Sequence, residues 1–143
     1  MTKLKMILCA MLIAVSATAS AQMISVNELP VQAKEFVDTH FKSAKVVQVE
    51  KDAPLGLVRE YTVILENGIK IEFNKKGDWK EVEAKKAKLP NSVTPEKIRK
   101  YVSAEFPQTE IRKIEKDSRG YEVSISNGLD LKFNLSADFI KID

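Results

Sequence analysis

Among 143 residues the chain has a single cysteine, Cys9, and a single histidine, His40. One thiol rules out a disulfide framework and a cysteine-ligated metal site. One imidazole rules out the histidine clusters that hold zinc. Any Ser-His-Asp arrangement would depend on His40, which ends a helical pattern beside Phe41, where a histidine ordinarily has a surface role. No Gly-x-Ser-x-Gly elbow, no His-Glu-x-x-His and no phosphate-cradling glycine loop occurs. The turns containing Asp52 and Asp117 are possible cation sites but lack the ligand spacing of an EF-hand loop. The residues therefore predict a protein that is not an enzyme and carries no cofactor.

Long apolar runs are also scarce. The one at Met6–Val15 is about ten residues, half of the roughly 20 that a membrane span needs. Lys3 and Lys5 precede it and Ala19-Ser20-Ala21 follow, the three parts of a secretory signal peptide. Residues 1–21 are expected to be removed after Ala21, leaving Gln22 first and no membrane span. Cys9 lies inside the apolar run, too early for a lipoprotein thiol. Cleavage removes it with two of the 23 basic residues, so 21 basic groups face 20 acidic ones. That balance gives no footprint for nucleic acid, which requires basic groups gathered on one face. The densest basic stretch, Lys85-Lys86-Ala87-Lys88, is expected to be a solvated linker. Export and the missing cysteine together predict a periplasmic or secreted protein held by packing alone.

What the chain does have is a repeat. Leu29-Pro30 opens one half and Leu89-Pro90 the other. Tyr61-Thr-Val-Ile-Leu-Glu-Asn67-Gly68-Ile-Lys-Ile-Glu-Phe73-Asn74 returns 60 positions later as Tyr121-Glu-Val-Ser-Ile-Ser-Asn127-Gly128-Leu-Asp-Leu-Lys-Phe133-Asn134. Repeats of this length are whole supersecondary units. In the first, Ala33, Phe36, Val37 and Phe41 fall on one helical face; in the second, Ile98, Tyr101, Val102 and Phe106 do, with Thr94 as expected N-cap and Pro95 at the first helical position. Strands are expected at Val46–Lys51 and Ile111–Lys116, then on either side of each Asn-Gly as a two-residue type I′ hairpin. Short closing strands follow near Trp79–Val82 and Phe139–Ile142. Two units, residues 22–84 and 85–143, give an α+β fold within one compact domain: a tandem helix plus antiparallel meander of about four strands each, helices on one face of the sheet.

The opposite face stays polar, and the candidate partner-binding residues lie there: Thr62, Glu66, Lys70 and Glu72 in the first half, Glu122 and Lys132 in the second. Leu55 and Leu57 join them, because the loop at residues 53–60 is five residues longer than its counterpart and places apolar groups where the fold needs none. Trp79 and the tyrosines recur at matched positions (Tyr61 with Tyr121, Trp79 with Phe139, Phe36 with Tyr101), which assigns them to the core rather than to a ligand platform.

The order Leu-Pro, helix, strand, Tyr-x-Val-x-Leu/Ile, Asn-Gly, an apolar strand ending Phe-Asn, and Gly77-Asp78-Trp79-Lys80-Glu81-Val82 resembles the PepSY-like family of beta-lactamase-inhibitor-like proteins exported by Bacteroides-type bacteria. The resemblance covers nearly all of the chain after residue 21, with Phe139 and Ala137 departing from the tryptophan and glycine of the pattern. It implies an architecture similar to the beta-lactamase inhibitor protein, whose two helix-plus-sheet units form a concave surface that grips a partner; PepSY domains are also associated with restraining secreted peptidases. Two readings stay open: a non-catalytic binding or inhibitor-like module presenting its polar sheet face to an exported protein or peptide, and a small-molecule or envelope-stress binding protein with a pocket between the units.

Overall fold

The computed structural model describes residues 21–143. The signal peptide expected at residues 1–21, with Cys9, lies outside the described residues apart from Ala21. Nine strands form one antiparallel sheet in strict sequence order. They are β1 (Ala21–Met23), β2 (Val46–Asp52), β3 (Glu60–Leu65), β4 (Lys70–Asn74), β5 (Trp79–Glu83), β6 (Ile111–Lys116), β7 (Gly120–Ile125), β8 (Asp130–Asn134) and β9 (Phe139–Ile142). Two ten-residue helices, α1 (Val31–His40) and α2 (Glu96–Glu105), make the fold α+β. β1 was not foreseen from the sequence.

Register explains the core. Val49, Val63, Ile71, Val82, Ile114, Val123, Leu131 and Ile142 are successive Cα partners from β2 to β9. All but Ile142 are buried, and Val63, Ile71, Val82, Ile114, Val123 and Leu131 are fully so. Residues two apart along a strand share its face, so Phe73 and Phe133 extend this apolar surface. Phe36 of α1 meets Phe73 edge-on at 5.7 Å and stacks on Trp79 at 5.8 Å. Tyr101 of α2 repeats both contacts, with Phe133 at 5.5 Å and Phe139 at 4.5 Å. Ala33, Val37, Ile98 and Val102 are the buried positions of the two helices.

Two local expectations are corrected. The Asn-Gly turns are not two-residue type I′ loops. Gly68 N donates to Leu65 O at 2.9 Å and Leu65 N to Ile69 O at 2.9 Å, a three-residue loop whose only left-handed residue is Gly68 at φ +83°. The second hairpin matches it, with Gly128 at φ +89°. Parity is the reason: a two-residue loop would pair Ile71 with Ile64, putting the apolar sides of the two strands on opposite faces, whereas the three-residue loop pairs Ile71 with Val63. Asn67 Oδ1 accepts from Ile69 N at 3.2 Å and stabilises the loop without leaving right-handed space.

Second, Thr94 does not cap α2. Pro95 occupies the N-cap in extended conformation, its carbonyl accepting from Ile98 N and Arg99 N, while Thr94 is buried and its carbonyl accepts from Arg99 Nε at 3.2 Å. Replacing the turn glycine by Ala137 leaves the turn intact. Ala137 N bonds Asn134 O at 2.9 Å as Gly77 N bonds Asn74 O at 3.0 Å, and Ala137 accepts φ +61° to do so.

Candidate functional site

Alternation that buries one side of the sheet turns the other outward. Its central row runs Glu50, Thr62, Glu72, Glu81, Glu115, Glu122, Lys132, Lys141 as successive partners from β2 to β9. A parallel row runs Gln48, Ile64, Lys70, Glu83, Lys113, Ser124, Asp130. Four glutamates thus stand side by side at the centre, an arrangement that like-charge repulsion disfavours unless cations intervene. Lys70 Nζ does so, lying 2.9 Å from Glu72, 3.3 Å from Glu81 and 3.6 Å from Glu83. Lys113 lies 3.2 Å from Glu115. Burial works against the Lys70 ammonium, but Glu72 and Glu81 outweigh it and hold its pKa above the ordinary lysine range.

Compensation is incomplete where β5 meets β6. Glu81, with 14 % of its side chain exposed, faces Glu115 directly. Burial, then a hydrogen bond shared with Glu115, then the charge of Glu72 raise the Glu81 pKa above the usual carboxylate value. The two rows together carry seven acids against four lysines.

Of the residues expected at the site, Thr62, Lys70 and Glu72 come together on this face, and Glu122 with Lys132 at 3.7 Å joins them four strands away. Glu66 does not: it starts the hairpin loop, and its carboxylate accepts from Lys45 N at 3.2 Å. Leu55 and Leu57 do not either. They lie on the β2–β3 connection, 100 % and 75 % exposed, with Leu55 held at φ +54°, while Val58 of the same loop turns back and packs on the core. Glu81, Glu83, Lys113 and Glu115 were missed. They meet only because β5 pairs with β6, a junction between the repeats that neither copy encodes alone; the matched parity of Val82 and Ile114 was the available signal.

An open cleft of about 610 Å³ is lined by residues of both halves, among them Phe36, Asn74, Asp78, Trp79, Lys116 and Asp117. Trp79 forms its wall while still stacking on Phe36, and Lys116 Nζ lies 5.9 Å from the centre of the indole. The turn carboxylates are already engaged, Asp52 with Arg59 at 2.7 Å and Asp117 with Arg119 at 2.8 Å. His40 Nδ1 lies 2.8 Å from Ser92 Oγ, and burial lowers its pKa. Among the described residues no group of three or more His, Cys, Asp or Glu is placed to hold a metal ion. No helix among them is long and apolar enough to cross a membrane.

A family model described as "Putative beta-lactamase-inhibitor-like, PepSY-like" matches residues 16–56 and 59–141, broken only at Leu57-Val58 in the exposed loop. The chain belongs to this PepSY-like family. Solved structures agree. A "putative periplasmic protein" of the DUF2874 family from Bacteroides vulgatus is 40% identical, with 88% of this chain and 98% of that chain covered and a TM-score of 0.77. A "putative calcium-regulated periplasmic protein" from Bacteroides thetaiotaomicron is 38% identical over 86% and 96% of the two chains, with a TM-score of 0.79. A second Bacteroides vulgatus protein, of unknown function, is 35% identical over 86% and 98%, with a TM-score of 0.78. No curated protein matches the chain. Neither the PepSY-like family's description nor those of these three relatives names a reaction, and all three relatives are described as periplasmic.

Proposed function

We propose that the chain is an exported, non-catalytic binding or inhibitor-like module, cleaved after Ala21, whose residues 22–84 and 85–143 act as tandem repeats of one domain. Both helices cover the apolar side of the sheet, and the polar side meets a protein or peptide partner. The observation that carries this reading is the row Glu72, Glu81, Glu115, Glu122: four strands from both halves align carboxylates that three lysines, Lys70, Lys113 and Lys132, neutralise only in part. Stability alone would not select such a row, since like charges directly opposite each other cost stability. A partner segment bearing basic side chains fits it.

The test is capture from the exported-protein fraction by residues 22–143, against a variant with Lys70, Glu72, Glu122 and Lys132 changed to Ala. Proteins kept by the former and lost by the latter, then rebound as purified components, support the reading; identical captured sets overturn it. The cleft beside Trp79 supports a second reading, a small-molecule or envelope-stress binding protein. A ligand that binds only the folded state raises the melting temperature. Under this reading a metabolite screen yields at least one such shift, and Trp79→Ala removes it.

A further inference from the structure

The repeat relates four strands in two pairs, β5 with β9 and β6 with β2. In the middle, β5 and β6 pair with Val82 opposite Ile114, Glu81 opposite Glu115 and Glu83 opposite Lys113. The second-half counterpart of β5 is β9, where Ile142 stands for Val82 and Lys141 for Glu81. The first-half counterpart of β6 is β2, where Val49 stands for Ile114 and Glu50 for Glu115. Among the described residues β9 has no further strand beside it, and its Ile140 and Ile142 are 56 % and 47 % exposed where Val82 is fully buried. Asp143 N donates to Asp130 O of β8, so Ile142, one residue earlier, directs its own N–H and C=O to the free side. An exposed edge of this kind is a template for a further strand.

β2 has the complementary edge, and β1 covers it. Ile24 N donates to Val49 O at 2.9 Å, and Met23 faces Glu50. Ile24 therefore sits against Val49 where Val82 sits against Ile114, and Met23 takes the place of Glu81: β1 imitates β5 in the same register. It does so with three exposed residues, of which Gln22 and Met23 remain after cleavage, held in place by the turn at Ser25, whose N–H donates to Glu28 Oε2 at 2.8 Å. If β9 of another copy took this place, Ile142 would face Val49 and Lys141 would face Glu50, an opposite-charge pair where the internal junction has Glu81 against Glu115.

We propose that β1 is a self-donated plug, and that the edge it covers is the docking site for β9 of a second copy of this chain, in the register of the β5–β6 junction. The pairing is head-to-tail and leaves a free β9 and a free β2 at the ends, so it grows into linear assemblies rather than closing as a dimer. Continuity with the internal junction and the Lys141–Glu50 match identify the occupant.

Sedimentation and light scattering on residues 22–143 test this. The unaltered chain is expected to stay monomeric. Ile24→Pro, which deletes the N–H that bonds Val49, and a chain shortened to begin at Ser25 are each expected to give a concentration-dependent series with at least double the monomer mass. Ile142→Pro, which removes an outward N–H and leaves the Asp143 N to Asp130 O bond to β8 in place, is expected to return both to monomers. A Glu50→Cys chain mixed with a Lys141→Cys chain, each also carrying Ile24→Pro, is expected to form one disulfide-linked dimer, since directly opposed strand residues lie within disulfide reach. Monomeric behaviour of both released chains, assemblies that persist with Ile142→Pro, or loss of folding in both released chains would overturn the proposal, because a plug is dispensable to the fold.

Discussion

The two halves end differently although they are built alike. β5 and β9 follow the same turn, begin with an aromatic that stacks on its helix, and place the same pattern on the sheet. Yet Val82 of β5 is fully buried beneath β6, whereas Ile142 of β9 is about half exposed. The outward residues diverge with the neighbours: Glu81 meets Glu115, Lys141 meets Lys132. The turns diverge too. A Cβ at Gly77 would lie 2.7 Å from Pro30 Cβ, while Ala137 keeps its methyl buried in the equivalent turn. Matched positions therefore encode the unit and mismatched ones encode what lies beside it.

The comparison is broken most severely through the paired aromatics. Phe73→Ala and Phe133→Ala each remove a buried ring from one cluster and are expected to cost about 3–5 kcal/mol in urea unfolding. If the halves share a core, each variant shows one transition; two separated transitions would make them independent units. Next come the turns. Gly77→Ala forces a clash and a left-handed alanine together and is expected to cost about 1–3 kcal/mol. Ala137→Gly should stay within about 1 kcal/mol of neutral, because relief of left-handed strain is offset by the lost methyl and the added chain entropy. Equal effects at the two turns would show that Pro30 sets no constraint on the first.

Much of this fold was legible in the residues. Strand period, the helical stripes and the matched aromatics located α1, α2 and eight of the nine strands, because each is encoded within about ten residues. The hairpin loops were misjudged for a local reason: Asn-Gly was given its commonest turn, although the odd-numbered apolar positions on both strands already required an odd loop. β1 escaped because three residues show no periodicity. The face was half legible. Lys70 and Glu72 lie two apart on one strand, but Glu81 and Glu115 are joined by a register across 34 residues that no short-range pattern announces.

The loop contrast makes a smaller prediction. Leu55 is fully exposed at φ +54°, in a connection whose counterpart in the second half is only Ser118-Arg119-Gly120. Leu55→Gly releases the strain, gives up no packing and is expected to stabilise the chain by about 0.5 kcal/mol in urea unfolding. A loss of stability instead would mean that the leucine packs in solution.

The smallest expected effect separates β5 from β9 by pH. Because the folded state raises the Glu81 pKa, chiefly through burial and then through Glu115, the unfolded chain releases this proton first. Glu81 therefore favours folding fully only below its unfolded pKa near 4.5, and that contribution is lost as pH rises through the folded value. Glu81→Gln stays neutral at every pH. It should melt about 1–2 °C above the unaltered chain at pH 7, a few tenths of a kcal/mol in a domain of this size, and the gap should close by pH 4. The counterpart substitution Lys141→Gln leaves the Glu81 carboxyl in place, so its melting difference should not follow the same curve. A gap for Glu81→Gln that stayed constant from pH 4 to pH 7 would mean that folding leaves the Glu81 carboxyl at its unfolded pKa. The acidic row would then be an ordinary solvated surface.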